Sequence, residues 1–464
     1  MASEWAKSGR DLLVAVDERA GRGAGLEQAL RGAIRDGRLG PGTRLPSTRA
    51  LAADLGWARG TVAGAYEQLA AEGWLTARAG AGTVVAAGAE TGHGDARAEP
   101  LERPPRYDLR AGSPDVASFP RAAWAAALRR VLREAPDSAL RLGDPRGPIE
   151  LRRTLAAYLG RARGVVAVPE RIVLCGGYVQ ALALLATALG PRATIAMEDP
   201  CLAFHRDVVR AAGPRVAPVP VDERGARVDA IEADAVVVTP AHQVGLGSTL
   251  APERRAALAD WAREHVVVED DYDGEFRYDG RPVGALQALA PDHIVYAGTA
   301  SKALSPALRI AWLVLPERLL EPVVEAKRLA DSASPAIEQL ALARLIETGE
   351  LDRHLRRMRA HYRRRRDAVV AVLAERAPAV RVLGIAAGLH AVLELPPGAS
   401  AQAEVFAAAR DRSLAVTGLD AFWHAPAGRP TRLQAGYATP PSHAFAGAID
   451  ALADVMRAAA SPGS

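Results

Sequence analysis

The chain has 464 residues, 49% of them hydrophobic and 24% charged, with a net charge of +4. That is the composition of a soluble globular protein long enough for two to four domains. Its two cysteines, Cys175 and Cys201, lack C-x-x-C spacing, which excludes a disulfide framework or a zinc knuckle and fits a reducing cytoplasm.

The first predicted elements are helical. Leu26, Leu30 and Ile34 recur at helical spacing, with Gly37 as a stop. Ser47 is a natural N-cap for a helix over Thr48–Leu55, which ends at Gly56. A second helix is expected over Arg59–Glu72, with Val62, Ala65, Tyr66 and Leu69 on one face and Gly73 after it. Two short helices joined by a glycine-containing turn form the helix-turn-helix pattern. Trp74–Arg78 and Thr83–Val85 then pair as a wing around Gly80-Ala81-Gly82. Over residues 26–84, seven arginines face five acids, a weak basic bias.

Residues 87–107 are rich in Gly, Ala, Pro and charge and read as a flexible linker between a domain at 20–86 and one at 108–464. Beyond it, short apolar runs alternate with helical patterns. The runs are Arg171–Leu174, Thr194–Met197, Ala235–Val238, Val266–Val268, Ile294–Tyr296 and Ile310–Leu315. Strand-helix alternation of this kind predicts a parallel sheet covered by helices. The longest apolar stretch, Ala181 to Leu189, is too short for a bilayer, which takes about 20 residues. No apolar segment near the N-terminus suggests a signal peptide, so no membrane partner is expected.

Lys302, one of few lysines, follows the run Ile294–Tyr296 and is flanked by Thr299, Ser301, Pro306 and Arg309. Asp270 ends the run His265-Val266-Val267-Val268-Glu269, where an acid at a strand's carboxyl end can reach a ligand. A lysine and an acid so placed suit an aldehyde cofactor, pyridoxal 5'-phosphate: the lysine forms a Schiff base and the acid keeps the pyridine nitrogen protonated. Tyr272 is a candidate donor to the phenolic oxygen. Gly176-Gly177-Tyr178-Val179-Gln180, a glycine turn opening a helix, is the candidate phosphate cradle, with Thr299 and Arg309 adding a hydroxyl and a cation. Arg432 is the candidate clamp for an effector carboxylate. Asp271, Asp273, Gly274 and Glu275 lack the ladder of a calcium loop, and no metal site is expected.

The strings Arg44-Leu45-Pro46-Ser47-Thr48-Arg49, Arg59-Gly60-Thr61-Val62, Glu72-Gly73-Trp74-Leu75 and Gly80-Ala81-Gly82-Thr83 closely resemble the GntR-type winged helix-turn-helix. From Gly143-Asp144-Pro145-Arg146-Gly147 to Gly436-Tyr437, the chain is similar to the fold-type I aminotransferase-like domain of the MocR subfamily of those regulators. Supporting strings include Glu198-Asp199-Pro200, Thr239-Pro240-Ala241-His242-Gln243 and Glu269-Asp270-Asp271-Tyr272. The resemblance implies an all-α winged helix-turn-helix domain joined to an α/β fold-type I pyridoxal-phosphate-dependent transferase-like domain. It implies Arg44, Arg49, Arg59, Thr61 and Gly82 as DNA contacts. In the second domain it implies Lys302, Asp270 and Tyr272 as the catalytic group, with Gly177, Tyr178, Val179, Gln243, Thr299 and Arg309 around the cofactor. The chain departs from the family pattern at Gly60, at Tyr178 and Val179, at Leu202 where a tyrosine is usual, and over Val244-Gly245-Leu246-Gly247.

Residues 353–366 hold eight arginines among fourteen, a run that suggests a second nucleic-acid patch. The preferred reading is an amphipathic helix with Leu355, Met358 and Tyr362 facing the core and arginine stems turned outward. The function expected is a transcriptional regulator that reads operator DNA and senses an amine, an amino acid or the cofactor itself through the Lys302 aldimine. The resemblance implies a head-to-tail homodimer binding paired half-sites. The rival is a working aminotransferase with a residual DNA-binding domain.

Overall fold

The computed structural model describes residues 16–17, 19, 21–78, 82–86, 104–280 and 283–460. The chain divides into two units, Met1–Arg103 and Pro104–Ser464. Most of the expected linker, residues 87–103, lies outside the described residues.

The first unit contains helices α1 (Arg22–Arg35), α2 (Thr48–Leu55) and α3 (Arg59–Ala71), then strands β1 (Leu75–Arg78) and β2 (Gly82–Val85). Leu26, Leu30, Ile34, Leu51, Val62, Tyr66 and Leu69 are buried together, so the three helical stripes read from the sequence form one small core. Ser47 caps α2 by accepting from the Ala50 amide at 3.1 Å, and Gly56 ends it in the left-handed conformation at φ 68°. The Tyr66 hydroxyl donates to the Pro46 carbonyl at 3.1 Å, tying α3 to the chain before α2. β1 and β2 pair antiparallel from Leu75↔Val85 to Arg78↔Gly82, the expected wing. Gly80 and Ala81, expected at its tip, lie outside the described residues.

The second unit opens with the short strand β3 (Tyr107–Asp108). It continues with β4 (Ile172–Cys175), β5 (Thr194–Asp199), β6 (Arg215–Asp222), β7 (Gly225–Ala226) and β8 (Ala235–Val238). Then come β9 (Val266–Asp271), β10 (Ile294–Thr299) and β11 (Ala311–Val314). Its main sheet has eight strands in the order β4-β11-β10-β9-β8-β5-β6-β7. Strands β10, β9, β8, β5 and β6 pair parallel, as expected. The sheet is nevertheless mixed: β11 runs antiparallel to both β10 and β4. The segment between β10 and β11 has only the short 3-10 turn Pro306–Leu308 and no crossover helix, so the chain turns back beside β10.

The strands also run further than their apolar stretches. β5 continues into Glu198 and Asp199, β9 into Glu269, Asp270 and Asp271, and β10 into Gly298 and Thr299. Backbone pairing to parallel neighbours holds these polar residues in extended geometry. They therefore project from the carboxyl ends of the strands, where open α/β sheets bind ligands.

A smaller sheet lies toward the C-terminus. It contains β12 (Arg381–Leu383), β13 (Ala391–Glu394), β15 (Thr417–Gly418) and β16 (Arg432–Ala435), in the order β12-β13-β16-β15. β14 (Leu414–Ala415) pairs instead with β3, so Tyr107, expected in the linker, belongs to a strand.

The arginine-rich run lies on the helix Glu350–Arg376, whose buried face includes Leu355, Met358 and Tyr362. Arg365 is the exception to outward-turned arginines. Its Nη1 donates to the carbonyls of Tyr437 and Ala438 at 3.1 Å and of Pro440 at 2.8 Å. One guanidinium thus satisfies three carbonyls where the helix meets the end of β16, which explains why it tolerates burial.

Candidate functional site

At the carboxyl ends of β5, β9 and β10 a cavity of about 280 Å³ is lined by Glu198, Asp270, Tyr272, Thr299, Lys302 and Arg309, among others. Alternation along β9 explains which acid of Glu269-Asp270-Asp271 serves it. Glu269 accepts from the amides of Leu286 and Gln287, each at 2.8 Å. Asp271 is paired with Arg163 at 2.7 Å and accepts from the Tyr296 hydroxyl at 2.8 Å. Asp270, between them, faces the cavity, and its Oδ1 has no hydrogen-bond partner.

Burial pushes the Asp270 carboxyl up to about 8, with nearby Asp271 and Glu198 adding to the rise and the Tyr178 hydroxyl opposing it. That hydroxyl is also unpaired, so the two groups stand near each other without a well-aligned hydrogen bond. An orphaned buried carboxyl is costly unless something completes it. A protonated pyridine nitrogen is a partner of the right charge and donor type.

Lys302 projects from the loop after β10. Burial lowers its ammonium pKa from the ordinary value, and the carboxylates of Asp273 and Asp270 partly restore it. Its Nζ donates to the Gly112 carbonyl. The lysine is thereby held at the cavity with its ammonium form destabilised by burial, the direction that nucleophilic use of the amine requires.

The phosphate end is equally specific. Gly177, at φ 104°, leads into the helix Tyr178–Leu189, and a Cβ there would stand 2.4 Å from Arg309 Nη2. The guanidinium therefore lies against a helix N-terminus, in space that only glycine leaves open. Cation and free amides together favour a phosphate dianion. Arg309 is itself left-handed, at φ 52°, after the 3-10 turn Pro306–Leu308. The Thr299 hydroxyl accepts from the Ser301 amide at 3.1 Å, bracing the same loop.

The remaining expected residues divide. Tyr178 and Val179 line the cavity. Tyr272 does too, and its hydroxyl donates to the His242 carbonyl at 3.0 Å. Gln243 does not line the cavity. Its amide donates to the Pro200 carbonyl at 2.7 Å and accepts from the amides of Gly245 and Leu246 at 2.8 and 2.6 Å, so it is spent holding the loop 244–247. Arg432 is likewise absent from the lining. Its Nε lies 2.7 Å from Glu394 Oε2, directly across the β13–β16 pair. The effector clamp expected at Arg432 is therefore already engaged by a carboxylate of the chain itself.

Four lining residues, His205, His390, Gln434 and Phe422, were not legible in the sequence. Burial holds both histidines neutral, His205 at about 4 and His390 at about 3, with His242 also disfavouring charge on His390. Gln434 Nε2 donates to the Val244 carbonyl and lies 3.2 Å from His390 Nε2. His205 comes from the helix Ala203–Ala211 that follows β5, whereas folding of the small sheet against the strand ends brings His390, Phe422 and Gln434 to Lys302.

In the first unit, Arg44, Arg49 and Arg59 are exposed, and Thr61 is half-buried in the first turn of α3. Among the described residues none of these arginines forms an ion pair or donates a hydrogen bond within the unit. Arg44 lies beside the wing, its Nε 3.4 Å from where a Gly82 Cβ would be. Unpaired arginines at a helix-turn-helix and its wing are suited to phosphates and guanine edges.

Comparison with known proteins agrees with both units. Residues 23–85 match the model for bacterial regulatory proteins of the gntR family, and residues 106–449 match aminotransferase class I and II. The chain is 34% identical over 412 residues to the HTH-type pyridoxine biosynthesis transcriptional regulator PdxR of Corynebacterium glutamicum, covering 86% of this chain and 88% of that protein. It is 34% identical over 374 residues to the probable rhizopine catabolism regulatory protein MocR of Rhizobium meliloti, covering 75% and 76%. The chain belongs to the MocR subfamily of GntR-type transcriptional regulators.

The second unit of this MocR-type regulator is similar in structure to LysN, the α-aminoadipate aminotransferase of Thermus thermophilus, solved with N-(5'-phosphopyridoxyl)-L-leucine. The TM-score is 0.68 at 27% identity, over 75% of this chain and 92% of that one. The cofactor of the regulator's fold-type I unit is pyridoxal 5'-phosphate. Asp270 and Lys302 fit its ring nitrogen and its aldehyde, and Arg309 with the Gly177 turn fits its phosphate. When bound, it supplies an aldehyde carbon that exchanges one amine for another and a ring that withdraws electrons. Among the described residues no helix is long and apolar enough to cross a membrane, and no His/Cys/Asp/Glu group could hold a metal ion.

Proposed function

We propose that the second unit is a receptor for a small primary amine or amino acid, and that ligand arrival at Lys302 alters how the first unit engages its operator. The supporting observation is the pairing, in one chain, of a lysine whose ammonium form is destabilised by burial beside an unpartnered buried carboxyl with a winged helix-turn-helix that presents Arg44, Arg49 and Arg59 without ion-pair partners among the described residues. An amine that takes the place of Lys302 frees that side chain from its seat beside Gly112. The ligand then acts by binding one arrangement of the protein better than the other.

The same reading makes the working unit a head-to-tail homodimer that presents two readers to paired half-sites. A surface groove of about 1070 Å³ on the second unit, bordered by Leu140, Leu142 and Ile337, supports this. Leu140 and Leu142 are 70% and 78% exposed, unusual for leucines without a covering partner.

The test is to titrate holo-protein with a panel of amines while following the cofactor absorbance, and to measure operator affinity in the same samples. The expected result is a ligand that changes both, with no steady conversion of amino donor and keto acid. Sustained transamination with unchanged operator affinity would instead make the chain an enzyme with a residual DNA-binding unit.

A further inference from the structure

The Arg432–Glu394 pair determines what the amine pocket can accept. β16 carries Arg432 and Gln434 on the same face, because side chains two apart on a strand point the same way. Gln434 reaches the cavity, whereas Arg432, one step further out, meets Glu394 directly opposite on β13. Arg432 Nη2 lies 2.6 Å from Glu394 Oε2, and the other oxygen, Oε1, takes Arg381 Nη1 at 2.8 Å. Both partners are largely removed from water, at 15% and 11% side-chain exposure.

The cavity also has an apolar wall. Leu202, Val244 and Phe422 line the cavity and pack in one cluster with Val392 and Leu419. Among the described residues, Lys302 and Arg309 are the only Lys or Arg side chains lining the cavity, and Arg309 is committed to the phosphate end beside Gly177. The two lining histidines are neutral. Hydrogen-bonding capacity remains at His390, Gln434 and Thr417, all without charge.

We propose that Glu394 and the Leu202–Val244–Phe422 wall make this a site for primary amines that carry no carboxylate, with an apolar or uncharged polar substituent. A ligand carboxylate would be desolvated against the wall with no counter-ion, an expensive placement. To reach Arg432 it would have to evict Glu394, whose position is fixed by the β13–β16 register and whose own charge repels it. An uncharged group meets neither obstacle and can bond to Gln434 or His390.

The proposal rests on the reading that amines reach Lys302, and one experiment separates the two. Holo-protein is titrated with L-phenylalanine, L-phenylalaninamide and phenethylamine, counting each as free base so that amine basicity cancels. Cofactor absorbance and the melting temperature are both followed. The expected result is at least tenfold tighter binding of the amide and of phenethylamine than of the acid. In Glu394→Gln that preference narrows at least tenfold, because Arg432 loses its counter-charge. Equal or tighter binding of L-phenylalanine by wild-type protein overturns the carboxylate-free site and leaves amine sensing intact. An unchanged preference in a folded, cofactor-loaded Glu394→Gln removes Glu394 as its cause. If that variant does not retain cofactor, the wild-type ratio alone decides. If none of the three amines shifts absorbance or melting while hydroxylamine still reacts, both the proposal and amine sensing fail.

Discussion

Substituting Gly177 by alanine tests the phosphate cradle directly. The new Cβ would stand 2.4 Å from Arg309 Nη2, 2.5 Å from Cζ and 2.7 Å from Nη1. Ordinary carbon contacts lie near 3.5–4.0 Å, so the guanidinium must withdraw by about 1 Å or more. That distance breaks a charge-assisted hydrogen bond to phosphate, which contributes about 1.5–3 kcal/mol. Cofactor affinity should therefore fall roughly 10- to 150-fold. Placing alanine at φ 104° adds backbone strain of about 1–3 kcal/mol. The strain burdens apo- and holo-protein alike, so it lowers the melting temperature but cancels from the dissociation constant. The assay is titration of apo-protein with pyridoxal 5'-phosphate, followed by absorbance, alongside thermal melting. Arg309→Ala should show a similar loss, and the double variant little more than either, because both remove one interaction. Binding by Gly177→Ala within threefold of wild type, or full additivity in the double variant, would refute the proposed contact.

Three other outcomes follow from the same geometry. A carboxyl in an unfolded chain titrates near 4, whereas Asp270 in the folded site is pushed up to about 8. Between those values the folded apo-protein holds the extra proton, so its stability should fall as pH rises through that window. Asp270→Asn should flatten part of this slope in denaturant titrations at pH 5 and pH 8.5, leaving the share that buried Glu198 and Glu269 contribute in the same direction. Arg59→Ala should weaken operator binding by about 1–3 kcal/mol and reduce its salt dependence, with the cofactor spectrum unchanged; a mobility shift across salt concentrations checks both. Arg365→Ala should destabilise the second unit by about 3 kcal/mol, because the carbonyls of Tyr437, Ala438 and Pro440 lose a shared buried donor; urea unfolding measures this, and a loss below about 1 kcal/mol would refute that role.

The sequence by itself determined the parts whose physics is local. The helical stripe of Leu26, Leu30 and Ile34, the Ser47 cap and the Gly56 stop specify the first unit within stretches of a few residues. Short apolar runs likewise located the strands of the eight-stranded sheet, except the proline-interrupted β6 and the two-residue β7, and the motif around Lys302 placed the cofactor. Tertiary structure decided the rest, since those properties depend on which residues become neighbours across the fold. Three adjacent acids, Glu269, Asp270 and Asp271, look alike in sequence, yet pairing with the Leu286 and Gln287 amides and with Arg163 leaves only Asp270 Oδ1 open. The orientation of β11 follows from how the chain doubles back after β10. Arg432 looked like a carboxylate clamp until β13 set Glu394 opposite it. His205, His390 and Gln434 carry no local signal at all: they lie far from Lys302 along the chain, and reach its cavity from the helix after β5, for His205, and from the small sheet packed over the strand ends, for His390 and Gln434.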